Sequence, residues 1–211
     1  MILFSPFTKN ILFLTIVIVS TILVLFLYFL PIIRNSLDKK NLNKRVYRIL
    51  YALAMDKDYY LINNFPLIQN NELVAKLDHI LFTNKYIYVI SDRPFSGIIN
   101  GNRDDNIWLN YSFSGERTEI NNPLLMNKIR IEKFSKIKKI DSKCIISIVV
   151  TNNLAEIINL ENLSTNKSYI CKKSKLKSII KKIEKRDVEE FDPNILDREV
   201  KEIAKDIYSR Y

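Results

Sequence analysis

Asp78 opens the stretch LDHILFTNKYIYVISDRPFSGIINGNRDDNIW, in which His79, the run Ser91-Asp92-Arg93, the pair Asp104-Asp105 and Trp108 are the residues with chemistry to offer. An aspartate can ligate a hard divalent cation, and an arginine can hold a phosphate through two parallel N–H bonds. On a strand, residues i and i+2 share one face, so Ser91 and Arg93 point one way and Asp92 the other. Asp92 joins Asp78 as a metal pair only if a bulge carries it round. His79 faces away from Asp78 and reads as a packed or hydrogen-bonded structural histidine. Asp104-Asp105 reads as a solvated loop. Trp108, Tyr86, Tyr88 and Tyr111 offer stacking surfaces for bases, although aromatic residues on strands more often serve a core.

These residues need strands to hold them. Leu77 to Thr83 and Tyr86 to Ser91 are apolar, β-branched and aromatic runs joined by Asn84-Lys85, which predicts a hairpin. Tyr59 to Asn63 reads as an earlier strand, and Ile98-Ile99 with Ile107 to Tyr111 as a further pair beyond the break at Pro94. Cys144 to Val150 is a buried strand, with Ile157 to Leu160 and Tyr169 to Cys171 as short ones. Helices are predicted over Asn41 to Ala54, from Asn122-Pro123 onward, over Ser174 to Ile183, and from Asp192-Pro193 to Tyr208. The last is read as an appended amphipathic helix over residues 186–211 that packs on the domain or on a protein partner.

Ahead of all this lies an uncharged apolar run from Ile11 to Ile33, longer than the roughly 20 residues a helix needs to cross a bilayer. It predicts a membrane anchor over residues 1–33, without the small-residue cleavage site of a secretory signal. Only Lys9 precedes the run, whereas Arg34, Lys39, Lys40, Lys44, Arg45 and Arg48 follow it. The positive-inside rule then places the N-terminus outside and the bulk of the chain in the cytoplasm, as a single-pass membrane protein. Cys144 and Cys171 have no metal-like spacing to His79 and read as small buried hydrophobes. The net charge of +10 is gathered in patches, beside the apolar run, over Lys128 to Lys143 and over Lys172 to Arg186. Such patches suit lipid head groups or nucleic-acid phosphates. For the latter the candidate contacts are Lys128, Arg130, Lys172, Lys173, Lys175 and Lys177.

The order of these pieces resembles the nuclease-related domain, NERD, a branch of the restriction-endonuclease-like PD-(D/E)xK superfamily. The resemblance runs from about Leu42 to Ile183, within a domain bounded at 34–185. It is carried by Leu61-Ile62-Asn63-Asn64, Leu77-Asp78-His79-Ile80, Tyr88-Val89-Ile90, Ser96-Gly97-Ile98-Ile99-Asn100-Gly101 with Trp108, Asn122-Pro123 and Ile148-Val149-Val150. It implies an α/β fold, a mixed sheet flanked by helices. It also implies metal-dependent phosphodiester chemistry, in which an Asp and a second carboxylate hold the ion and a Lys two residues later positions water. Asp78 stands at the first carboxylate, but Glu-x-Lys is replaced by Ser91-Asp92-Arg93, the early helix Glu by Asn43, and the Gln and His after Asn-Pro by Met126 and Arg130.

Serine is a poor ligand for Mg²⁺, and arginine stays protonated where lysine can exchange its proton. Three functions stay open at this level. One is a degenerate domain, with Asp78 and Arg93 as remnants of the catalytic set, that binds DNA, RNA or another polyanion and needs no cofactor. A second is a nuclease using Mg²⁺ on Asp78 and a relocated Asp92. The third is a membrane-tethered interaction scaffold.

Overall fold

The computed structural model describes residues 6–113 and 115–208; at 6–12, 31–32, 34–40, 161 and 206–208 only the backbone is described. The chain falls into two compact units, 1–38 and 39–211. Helix α1, Pro6–Lys57, runs from the first into the second, so the apolar run and the amphipathic helix expected after it are one helical segment. Phe13–Leu30 is exposed along its length and is long and apolar enough to cross a membrane. Its two hydroxyls donate to the Val17 carbonyl, Ser20 Oγ and Thr21 Oγ1 each at 2.8 Å, which leaves neither unsatisfied in an apolar surrounding. The side chains of Lys9, Arg34, Lys39 and Lys40, which carry much of the charge asymmetry, lie outside the described set.

The second unit is built on two mixed sheets where the sequence suggested one. Strands β1 (Tyr60–Gln69), β2 (Glu72–Phe82), β3 (Ile87–Arg93), β7 (Ile145–Thr151) and β9 (Ser168–Lys172) form the larger, in the order β1-β2-β3-β7-β9. The first three are antiparallel neighbours, and β3, β7 and β9 run parallel. The smaller sheet has the order β6-β5-β4-β8, from β4 (Gly97–Asn100), β5 (Ile107–Tyr111), β6 (Arg117–Asn121) and β8 (Ala155–Ile157). Helices α2 (Pro123–Lys138), α3 (Leu160–Leu163), α4 (Leu176–Glu184) and α5 (Pro193–Tyr208) complete it. The predicted strand Ile157 to Leu160 is instead the end of β8 and the start of α3.

Period-two alternation sorts the larger sheet into two cores. On one face Leu81, Tyr88, Ile90, Ile148 and Val150 pack under Val46 and Leu50 of α1 and Ile180 of α4. On the other, Ile80, Phe82, Ile87 and Val89 pack under Ile131 and Phe134 of α2, with Val200 and Ile203 of α5 against Phe65 and Leu67. Helix α5 begins as predicted, with Asp192 Oδ1 accepting from the Asn194 and Ile195 amides. It packs on the domain, one of the two expected places: Val200 and Ile203 are buried, Ile195 stays exposed, and Tyr60 Oη donates to Asp197 Oδ1 at 3.1 Å.

The small sheet explains the glycine and tryptophan pattern. Gly97 has φ +83°, and a Cβ there would lie 2.0 Å from the Tyr111 carbonyl oxygen on β5. A Cβ on Gly101 would lie 2.2 Å from the ring of Trp108, which is fully buried and donates to the Asn102 carbonyl at 2.7 Å. Trp108 is thus a core residue and not a platform for a base; Tyr86 and Tyr88 are buried as well. Asn122 caps α2, accepting from the Leu124 and Leu125 amides at 2.9 and 3.2 Å. It also donates to the carbonyls of Arg103 and Asp105, both at 2.7 Å, and so ties the β4–β5 loop to the helix. Asn122→Ala should therefore cost about 2–3 kcal/mol, more than a simple cap, because four polar groups lose their partner. Asn122→Asp keeps the capping oxygen and loses both donors, so thermal unfolding that placed it at the wild-type midpoint would show the donors to contribute nothing.

Candidate functional site

At the C-terminal ends of the parallel strands, one carboxylate gathers several donors. Asp78 Oδ2 accepts from Ser91 Oγ and from the Asp92 backbone N–H, both at 3.0 Å. Arg93 Nη1 lies 3.5 Å from the same oxygen and donates to the Asp92 carbonyl at 2.7 Å. From α2, Arg130 Nη1 donates to Ser91 Oγ at 3.1 Å, so the hydroxyl passes a chain of bonds from guanidinium to carboxylate. Asp78 and Arg93 are about one-fifth exposed, which opens the cluster to solvent. Burial pulls the Arg93 pKa below its usual value, and the adjacent Arg130 charge pulls it further, against the opposing pull of Asp78 and Asp92. Two cations face one anion.

Strand β3 stays regular to its end, each residue from Ile87 to Arg93 pairing in register with β7 from Ile145 to Thr151. No bulge turns Asp92, which corrects the expected metal pair of Asp78 and Asp92: the Asp92 carboxylate lies on the opposite face. There Asp92 Oδ2 accepts from Asn43 Nδ2 at 2.9 Å and lies 2.8 Å from His79 Nε2. His79 Nδ1 is 2.6 Å from Asn63 Oδ1 on β1. His79 is fully buried, and Asp92 Oδ1 has no partner among the described residues. This network joins α1, β1, β2 and β3. The sequence marks Asn43 only as the residue in place of the family's early helix Glu and Asn63 only as part of the first-strand motif, and neither as a partner of Asp92 or His79.

The remaining candidates divide between the two ends of the sheet. Arg93 pairs with Thr151 and Thr151 with Lys172, so these three share a face in a row across three strands. Two strand spacings put Arg93 and Lys172 about 10 Å apart along the backbone. Lys173 and Lys175 form the single 3-10 turn that follows, and Lys177 is exposed on α4. Lys128, although two residues from Arg130, instead lines a cleft with Ile145 and Ser147, near the N-terminal end of β7. Asp105 is spent on its own loop, accepting from the Asn102 amide at 2.8 Å. No group of three or more metal-ligating side chains occurs among the described residues.

A family model for the nuclease-related domain, NERD, matches residues 41–152. The chain belongs to this family. No curated protein and no solved structure matches it. The match starts on α1 at Asn41 and ends just past β7, so it takes in Asp78, Ser91, Arg93 and Arg130 and leaves out Lys172 and all of α4 and α5.

The metal expected of a NERD nuclease does not fit these residues. A hard divalent cation asks for several oxygen ligands, carboxylates among them. Among the described residues Asp78 supplies the one carboxylate of this cluster, and one of its oxygens already accepts from a hydroxyl and an amide, with a guanidinium beside it. The second carboxylate is sequestered by Asn43 and His79 behind the sheet. What the exposed face can do is receive an anion: Arg93 and Arg130 would each lose repulsion if a negative oxygen came between them.

Proposed function

We propose that this NERD domain binds phosphate groups of a polyanion, DNA or RNA, at the Asp78–Arg93–Arg130 cluster without cleaving them. A single observation carries the reading: the Asp78 carboxylate is engaged by Ser91, by the Asp92 amide and by Arg93, where a cleaving site would hold an ion. Arg130 and the Lys172 row extend the positive face beyond it. Two guanidiniums supply planar, permanently charged donors, which hold a phosphate well and cannot act as a base toward water.

We place the domain on the cytoplasmic side of a membrane, anchored by the apolar part of α1. The support is the exposed apolar stretch Phe13–Leu30 and the excess of Lys and Arg after it. Protease added to intact cells should leave a C-terminal tag whole; its digestion from outside would reverse the orientation.

The test of chemistry uses the full chain in detergent, incubated with plasmid DNA and with RNA in Mg²⁺ or Mn²⁺. Substrate should stay intact over hours while remaining bound in a gel-shift assay at low salt. Turnover that disappears in Asp78→Ala would overturn the reading and revive a metal site. Absence of both cleavage and binding would leave the fold as a membrane-tethered scaffold.

A further inference from the structure

Two clefts open at the other end of the larger sheet, where β3, β7 and β9 begin. The first, about 470 Å³, lies between α2, the β4–β5 loop and the β9 approach, with Arg103, Lys128 and Lys167 at its walls and Leu124, Ile131 and Ile145 beneath. The second, about 460 Å³, is walled by Lys143, Lys167 and Arg186, with Tyr86, Ile146 and Val188 as its apolar part. Lys167 lines both, so the clefts are neighbours across one exposed cation. Each lies in the roughly 300–1,000 Å³ range of small-ligand sites.

The charge is one-sided and largely uncompensated. The two linings hold five basic side chains, Arg103, Lys128, Lys143, Lys167 and Arg186, against two acidic ones, Asp104 and Glu132. Lys128 lies 3.9 Å from Glu132, but among the described residues no carboxylate is within ion-pair distance of Lys143 or Lys167. Arg103 donates to the Leu163 carbonyl at 2.9 Å, and Arg186 to the Asn166 carbonyl at 2.7 Å and to Tyr169 Oη; all three acceptors are neutral, so both keep their charge available. Hydroxyls of Ser142, Thr165 and Ser168 add neutral donors along the first cleft.

We infer that this end of the sheet is a second anionic-polymer site that takes single-stranded nucleic acid, with unpaired bases entering the two clefts and a backbone phosphate on Lys167 between them. Recessed, apolar-floored clefts suit bases that are splayed out, and a duplex keeps its bases inside. The shared lysine is where a polymer's phosphate must pass if neighbouring nucleotides occupy neighbouring clefts. This site shares only its ligand class with the Asp78 cluster, since it lies at the opposite strand ends and uses none of the same residues.

The experiment uses the full chain in detergent with a fluorescein-labelled single-stranded oligoribonucleotide, the matching duplex, and vesicles containing anionic lipid. Lys167→Glu and Lys143→Glu are exposed changes that should leave thermal unfolding unmoved. Each should weaken single-strand binding about tenfold, with a salt slope lower by roughly 1–2. They should weaken duplex binding less, and their effects should add to those of Arg93→Ala. Unchanged single-strand affinity in both variants would overturn the second site, whereas loss of all binding in Arg93→Ala alone would assign everything to the first. Equal weakening of duplex and single strand, or weakening confined to vesicles, would overturn the base-cleft assignment. If only the Arg93 effect fails, this inference stands and the reading of the Asp78 cluster falls.

Discussion

Asp92→Ala should unfold far more easily than Ser91→Ala, although the two residues are neighbours on one strand and the conventional reading of this fold would place both near the reaction. Asp92 is buried with its carboxylate between Asn43 and His79, so truncation leaves the buried His79 ring nitrogen without its carboxylate partner, while the exposed Asn43 amide can turn to water. A buried group left so costs about 1–3 kcal/mol. Part of that is offset because Asp92 Oδ1 is itself unpartnered and its desolvation cost disappears with it. The net loss should be about 1–3 kcal/mol, a fall in Tm of roughly 3–10 °C for a domain of this size. Ser91→Ala removes one hydroxyl from a carboxylate that retains the Asp92 amide and Arg93, and should cost under about 1 kcal/mol. Thermal unfolding followed by circular dichroism decides between them. Similar midpoints for the two variants would mean that the buried network does not hold α1 to the sheet, and that Asp92 is free for another role.

The part of this architecture written most plainly in the sequence is the part buried on both faces. The expected runs Leu77 to Thr83 and Tyr86 to Ser91 coincide with the end of β2 and with β3, because strands covered from both sides need continuous apolar side chains. The first half of β2 and the second half of β1 were harder to see. Residues such as Pro66, Gln69, Glu72 and Lys76 interrupt the alternation, since this hairpin reaches out at the sheet edge. Its turn did leave a signal: Asn70 and Asn71 have φ of 51° and 64°, the paired left-handed conformation of a tight hairpin. Strand β6, RTEIN, is exposed on an edge at every residue but Ile120 and has no apolar pattern to find. That the strands divide into two sheets depends on pairings far apart in the chain, such as β4 with β8, which periodicity does not encode.

The site shows the same division. Alternation alone separates Asp92 from Ser91 and Arg93, and regular pairing to the end of β3 bears that rule out. The partners that occupy Asp92 come from α1, 49 residues away, and from β2, and an asparagine carries no mark of what it will touch. Arg130 was legible as a departure from the family pattern but not as a donor to Ser91, which needs the crossing of α2 over the sheet. Lys128 and Arg130 read as one basic patch because they are close in sequence. A helix sends residues two apart to nearly opposite sides, and these two serve opposite ends of the sheet.

Arg93→Ala and Arg130→Ala should weaken polyanion binding by about tenfold each and by little more in combination, because both guanidiniums address one phosphate. Their mutual repulsion places them within reach of a common ligand, and Ser91 links Arg130 to the carboxylate that Arg93 flanks. A charge-assisted bond to phosphate contributes roughly 1.5–3 kcal/mol, and one phosphate neutralised changes the slope of log K against log salt by about 0.9 on duplex DNA. The double variant should therefore lose about one slope unit, not two. Neutralising Lys172, Lys173, Lys175 and Lys177 together should remove further slope units, since those residues sit along the row, the turn and the start of α4 beyond Arg93. Asp78→Asn reverses the sign: with the carboxylate charge gone, an incoming phosphate meets two cations and no competing anion, and affinity should rise. Titrations of labelled duplex DNA at several salt concentrations measure all five variants on one scale. Two slope units lost in the Arg93/Arg130 pair would show separate phosphates, and weaker binding in Asp78→Asn would show that the carboxylate orients the site, not that it competes with the ligand.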